Sequence, residues 1–226
     1  MKVEVLWHTP HPEQVVAAAA RLCYSADGIS DLMEKMDEDK ISTFVKKLGD
    51  MGHESPFEHV SFTFGIEGVS RALSHQMVRH RIASYSQKSQ RYVDEQSFTY
   101  VVPPSIASNG EALDYYHEQM EAIRRAYQKL SNMVPREDAR YILPNACETK
   151  LVVTMNVRSL TNFFRLRCCQ RAQWEIRHLA EIMMEEVRKI APLLFARAGA
   201  VCESEGYCPE GEYSCGRLHK KEKNNL

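Results

Sequence analysis

Residues 60–67 read Val60-Ser61-Phe62-Thr63-Phe64-Gly65-Ile66-Glu67, a strict alternation of apolar with polar or small residues. A period of two predicts a strand with one face turned to a core. Leu151, Val153 and Met155 repeat the spacing and predict a second strand. Helical patterning separates and flanks the two. Residues 111–133 carry Leu113, Tyr116, Met120, Ile123, Tyr127 and Leu130 at amphipathic-helix spacing, and helical patterning runs from Ser159 to Ile190 with a break near Cys169. Strands scattered among helices without a regular βαβ rhythm indicate a mixed α+β fold, not a doubly wound sheet.

Working outward, Val3, Val5 and Trp7 alternate with Lys2, Glu4 and Leu6 and predict an opening strand. Pro12 begins a helix through Val15, Val16 and Ala17 to Ala20. Ile41, Phe44, Val45 and Leu48 mark another, with Gly49 and Gly52 as stop signals. Leu73 and Met77 share one face of a short helix, whereas residues 82–91 lose all periodicity and read as a loop. Residues 98–102 read as a strand ended by Pro103-Pro104, and Pro135 opens a short helix that stops before Pro144. There is no internal repeat, and the polar tail, residues 220–226, is expected to be disordered.

With 26% charged residues but a formal net charge of -1, the chain is not a general polyanion binder, so any anion site must be a local concentration of charge. No apolar stretch is long enough to cross a bilayer, and residues 1–7 lack a signal-peptide core. Seven cysteines is an odd number, and the adjacent Cys168-Cys169 suits no simple disulfide framework. Free thiols in a reducing, cytoplasmic compartment are expected.

Two windows break the charge balance. Residues 68–93 hold no Asp or Glu but carry Arg71, Arg79, Arg81, Lys88 and Arg91; residues 156–174 hold none but carry Arg158, Arg165, Arg167 and Arg171. Solvated basic faces are the bland reading. Surface helices usually intersperse both signs, however, and the bias to arginine suits forked recognition of phosphate or carboxylate. Ser84, Ser86, Ser89, Gln76, Gln87 and Gln90 add donors in the first window. On one continuous helix, Arg167 and Arg171 share one face, and Arg158, Asn162 and Arg165 another.

His53-Glu54-Ser55-Pro56-Phe57-Glu58-His59 is not the HExxH of zinc proteases, because Pro56 interrupts any helix that would align the histidines. It reads as a helix start, with Ser55 as N-cap and Glu58 completing a capping box. Cys202, Cys208 and Cys215 with His219 are spaced more widely than CxxC knuckles, so no metal site is expected. The common nucleotide and hydrolase loops are missing, and Ser89 has no evident activating base, which favours a hydrogen-bonding role over a nucleophilic one.

Arg79-His80-Arg81, seven residues, then Ser89 resembles the RHR-x7-S signature of the flavin-dependent thymidylate synthases (the ThyX family). Gly52-His53-Glu54-Ser55-Pro56-Phe57-Glu58-His59 is similar to the family's GHE[ST]PFEH segment. Pro135-Arg136-Glu137 with Ala139-Arg140 and Leu143-Pro144 resembles its PRE-x-AR-x-x-LP segment. Asn156, Arg158-Ser159-Leu160, Asn162-Phe163, Arg167 and Ala172-Gln173-Trp174-Glu175-Ile176 resemble its N-x-RSL…NF…LR…AQ-x-EI segment. Four ordered matches between residues 52 and 176 are highly specific.

The resemblance implies a single α+β domain over residues 1–219 with a predominantly antiparallel sheet. It also implies a homotetramer whose active sites lie between subunits. The activity implied is methylation of dUMP to dTMP, with methylenetetrahydrofolate as carbon donor, NADPH-reduced FAD as hydride source and no cysteine nucleophile. By motif, dUMP would meet Gln76, Arg79, Gln87, Lys88, Ser89, Gln90, Arg91, Arg140 and Arg167, with Arg167 facing the uracil as the catalytic residue. FAD would meet His53, Ser55, Glu58, Arg79, His80, Arg81, Gln87, Asn156, Arg158, Asn162 and Arg171. Arg171 stands where some members have histidine, Cys23 where some have serine, and Gln87 where some have glutamate. No metal, nucleic-acid or membrane partner is implied. The rivals are an RNA-binding module that stacks bases on Tyr85 and Tyr92, and a nonenzymatic flavin sensor.

Overall fold

The computed structural model describes residues 1–26, 28–34 and 36–218. The tail 220–226 and His219 lie outside the described residues. The elements in chain order are β1 (Lys2–His8), α1 (Pro12–Leu22), α2 (Ile29–Glu34), α3 (Glu38–Met51), β2 (Ser61–Ser70), α4 (Arg71–Met77), β3 (Ser84–Gln87), α5 (Pro104–Ala107), α6 (Gly110–Ser131), α7 (Arg136–Ala139), β4 (Glu148–Asn156), α8 (Val157–Arg167), α9 (Trp174–Ile190) and α10 (Val201–Ser204). The mixed α+β class is the observed one. Its strands form one antiparallel sheet in the order β1-β2-β4-β3.

Register follows from backbone bonds. Thr9 N donates to Ser61 O (3.0 Å), Val157 N to Val60 O (2.9 Å) and Arg71 N to Cys147 O (3.0 Å), so β2 runs antiparallel to β1 and to β4. Phe62, Phe64 and Ile66 are fully buried, as the alternation requires, and on the other face Thr63 and Thr154 share a cross-strand hydrogen bond of 2.9 Å. Gly68 takes a left-handed φ of 67° within β2. A Cβ there would come within 3.2 Å of the Met1 backbone nitrogen, so only glycine fits both the angle and the space.

Contacts divide the described chain into two units. The first comprises residues 1–2, 65–79 and 85–152; the second comprises residues 3–64, 80–84 and 153–226, of which those to 218 are described. In the first, Ile66, Leu73, Met77, Tyr127 and Cys147 are fully buried. In the second, Phe62, Phe164 and Phe195 form an aromatic core, with the Phe195 ring edge-on to Phe62 at 5.6 Å and to Phe164 at 6.0 Å. Leu179, Met183 and Val187 of α9 complete its apolar face.

Helix ends obey local chemistry. Side chains of Asp37, Ser70, Asn109 and Asn156 accept from backbone N–H groups to cap α3, α4, α6 and α8. Four expectations need correction. Residues 82–91 contain β3, a short edge strand whose sequence Ser84-Tyr85-Ser86-Gln87 has no apolar alternation because little of it is buried. Residues 98–102 contribute only an isolated bridge between Tyr100 and Cys147. Gly49 lies inside α3, which ends at Gly52. Trp7 is 71% exposed despite its place in the alternation, since β1 is the other edge strand.

Candidate active site

In the first unit, β3 leads into the loop 88–91, and the inward-turned side chains of this stretch each have an anchor. Lys88 N donates to Lys150 O at 2.9 Å, and Gln87 Nε2 donates to Thr149 Oγ1 at 3.1 Å. Lys88 Nζ lies 2.7 Å from Oε1 of Glu95 and donates to its Oε2 at 3.0 Å. The Glu95 side chain is only 3% exposed, so this ion pair is nearly buried. Gln90 is buried and donates to Cys147 Sγ at 3.6 Å. Burial pushes the Cys147 thiol up to about 11. Tyr85 donates its hydroxyl to Met77 O at 2.9 Å, and burial pushes that phenol up to about 12.

The outward-facing groups of this unit differ from those anchors. Ser89 Oγ accepts from Arg91 N at 3.2 Å and keeps its own proton to donate. Arg91 meets Glu137 through Nε (3.0 Å) and Nη2 (2.9 Å) on an exposed surface. Arg140 Nε donates to Glu137 O at 3.0 Å, and Arg79 is exposed after α4. Neither Arg79 nor Arg140 forms an ion pair among the described residues. Gln76 is half-buried in the last turn of α4. Lys88 and Gln90, expected at the nucleotide, thus turn their polar groups into the protein, while Ser89, Arg79, Arg91 and Arg140 face outward.

In the second unit, Arg158 forks between two carboxylates from the His53–His59 motif: Nε donates to Glu54 Oε2 at 3.1 Å and Nη1 to Glu58 Oε1 at 2.5 Å. The Glu58 hydrogen bond, aided by both charges, holds the guanidinium above its usual pKa. The expected capping box is therefore absent. The 3-10 turn Ser55–His59 has Glu54 at its N-cap with no side-chain bond, because Glu58 is engaged by Arg158. His53 and Ser55 are exposed beside it.

Asn156 spends its carbonyl on Ser159 N (2.8 Å), leaving the amide NH2 to donate, and Asn162 is exposed on α8. At the end of α8, Arg167 Nε donates to His80 Nε2 at 3.1 Å, and the His80 ring stands edge-on to Phe163 at 5.0 Å. In that bond His80 Nε2 is the acceptor. Arg81 is exposed and forms no ion pair among the described residues. Helix α8 stops at Arg167, so Arg171 does not share a helical face with it; its guanidinium lies 5.4 Å over the Tyr213 ring. A cavity of about 510 Å³ opens beside Arg158, walled also by Val45, Leu48, Phe57, Thr161 and Leu194.

A profile of the family described as thymidylate synthase complementing protein matches residues 4–193. A flavin-dependent thymidylate synthase of Clostridium tetani is 50% identical over 240 residues, covering 99% of this chain and 96% of the relative. One from Geobacter sulfurreducens is 53% identical over 220 residues (96% and 94%), and one from Pyrococcus abyssi is 42% identical over 221 (94% and 91%). The chain belongs to the flavin-dependent thymidylate synthase family. It is an enzyme of that type.

For a flavin-dependent synthase, the cation arrangement is chemically apt. Phosphate-bearing ligands are best met by forked donors that the protein has not already neutralised, and Arg81 is exposed. The partners Glu54, Glu95 and Glu137 escaped the reading of site chemistry, and Glu58, expected at the flavin, was not foreseen as a partner of Arg158. They lie outside the acid-free windows, and only the fold brings them to Arg158, Lys88 and Arg91.

Proposed function

We propose that this synthase converts dUMP to dTMP with FAD as its flavin, NADPH as reductant and methylenetetrahydrofolate as carbon donor, in a domain spanning residues 1–219. Arg79, Ser89, Arg91 and Arg140 bind the phosphate and sugar of dUMP, with Gln76 and Gln87 supplying further donors. Lys88 and Gln90 act on that loop from within, through Glu95 and Cys147. Arg81, His53, Ser55, Asn156, Arg158 and Asn162 hold the flavin, with Glu58 orienting Arg158, and Arg171 and His80 lie at its margin. When bound, the reduced flavin supplies the hydride and carries the one-carbon unit.

The Arg167–His80 pair carries this reading. His80 fixes the guanidinium as a rigid, permanently charged fork, and facing the uracil it favours ionisation of the ring and stabilises charge that develops on the pyrimidine oxygens. Cys168, next to Arg167 in sequence, is 2% exposed, and Cys147, which accepts from Gln90, is fully buried, while Cys169 is half-buried. The burial of Cys168 and Cys147 supports a reaction that uses neither as a nucleophile. The sites are shared between the subunits of a homotetramer, which lets Arg158 and Arg167, on opposite sides of α8, serve different sites.

The test is product formation by purified protein under anaerobic conditions. dTMP should appear when dUMP, methylenetetrahydrofolate, NADPH and FAD are all present, and vanish when any one is omitted. Undiminished dTMP without added or bound flavin would refute the scheme. Sharing between subunits is tested by mixing inactive Arg79→Ala and Arg167→Ala proteins under verified subunit exchange. Recovered activity supports it, and none in proven mixed oligomers overturns it.

A further inference from the structure

Three of the seven cysteines fall in the segment after α9, at Cys202, Cys208 and Cys215, separated by five and six residues. Spacing alone argued against a metal knuckle. The fold adds what spacing omits. A small cavity of about 70 Å³ is walled by these three residues together with Cys169, from the turn that follows α8. Cys202 is within electrostatic range of both the Cys169 and Cys208 thiols. Arg165, Arg171 and Arg217 line the same space, and no disulfide is formed by any of the four.

The segment is anchored so that this meeting is not casual. Arg217 donates to Cys168 O at 3.2 Å and pairs with Glu203 at 2.6 Å, and Arg165 pairs with Glu205 at 2.6 Å. These bonds tie the segment at Arg217 to the turn that carries Cys169 and at Glu205 to helix α8. Gly206 (φ 74°) and Gly216 (φ 73°) take left-handed conformations beside Cys208 and Cys215, turning the chain sharply at two of the four thiols.

We propose that Cys169, Cys202, Cys208 and Cys215 form a thiolate centre for one soft divalent ion of the zinc class, separate from the synthase chemistry. Four sulfurs are the complete donor set of a closed, tetrahedral structural site. A cavity of this size suits a single ion better than a larger cluster. Among the described residues no three such side chains already converge on one point. Convergence is what the ion supplies, because neutral thiols have no reason to crowd to the sulfur separations of roughly 4 Å that zinc–sulfur bonds of about 2.3 Å impose. Arg171 on the wall offsets part of the negative charge of four thiolates, while Arg165 and Arg217 are paired with Glu205 and Glu203.

Cobalt(II) is the probe. Added to the reduced, chelator-treated full chain, it should bind at about one ion per chain. It should give the near-ultraviolet thiolate-to-metal charge-transfer band and the strong visible bands of tetrahedral sulfur ligation, and zinc should then abolish both. Cys208→Ser and Cys215→Ser should each weaken binding at least tenfold, while Cys23→Ser leaves it unchanged. Should a serine variant fail to fold, titrating the zinc-loaded wild-type chain with a thiol-specific mercurial should release the zinc as the thiols are blocked. No cobalt spectrum, a spectrum indifferent to Cys208→Ser, or zinc retained after complete thiol blocking would overturn the proposal.

Discussion

The loop after β3 and the start of α8 both lie in windows without acids, yet the fold treats their cations in opposite ways. Lys88 is paired with a carboxylate that is 3% exposed, whereas Arg158 is half-exposed and so are its partners Glu54 and Glu58. A buried pair is hard to break, because removing one partner strands the other's charge in a poor solvent. An exposed pair costs little to exchange for another anion. Burial therefore separates the cation that shapes the loop from the cations available to ligands, a distinction invisible in the count of positive residues.

The largest effect is expected at the residue that combines both behaviours, since Arg167 is half-buried and aimed by a hydrogen bond to the His80 ring. Arg167→Lys keeps the charge and loses the planar fork, so turnover at saturating dUMP should fall about 100-fold or more while flavin content changes little. Near-normal turnover would remove Arg167 from the chemistry.

Next comes the buried pair itself. Glu95→Gln leaves the Lys88 ammonium without its counter-charge and should destabilise the fold by about 3 kcal/mol, read from denaturant midpoints at unchanged slope. Adding Lys88→Met should recover part of the loss, and no recovery in the double variant would show that Glu95 matters for some other reason. The exposed counterpart, Glu58→Gln, should leave the unfolding temperature unaltered within error and instead lower flavin affinity by a few-fold, about 2–5. A marked fall in stability there would erase the contrast between the regions.

A smaller effect is expected at alkaline pH. Burial raises the Cys147 thiol to about 11 in the folded protein, from an ordinary value of 9.0. The unfolded chain releases this proton first, so the stability from the neutral thiol is intact below about pH 9 and is lost as pH rises toward 11. Denaturant midpoints measured from pH 8 to 11 should fall less steeply in Cys147→Ala. Identical slopes would show that this thiol does not contribute.

How much of this was legible follows from where each signal lies. The strand β2 and the break between α8 and α9 announce themselves within a few residues, because a period is a local property. Strand β3 is silent, since an exposed edge needs no apolar alternation. The motifs at His53, Arg79 and Asn156 identified the family, but not that Lys88 and Gln90 face inward, a matter of packing against Glu95 and Cys147. The capping box at Ser55 was a sound local pattern overruled by Arg158, a hundred residues away in sequence from Glu58. Likewise, Cys169 joins the three later cysteines only through the fold.

The central claim is that the outward donors of loop 88–91 bind the nucleotide while Arg81 and Arg158 of the second unit bind the flavin. Two readings on two variants test it: the flavin-to-protein absorbance ratio, and the Kd for dUMP. Ser89→Ala should stay as yellow as the wild type and bind dUMP about tenfold more weakly, whereas Arg81→Ala should lose most of its flavin. A colourless Ser89→Ala protein beside a fully yellow Arg81→Ala protein would contradict the account.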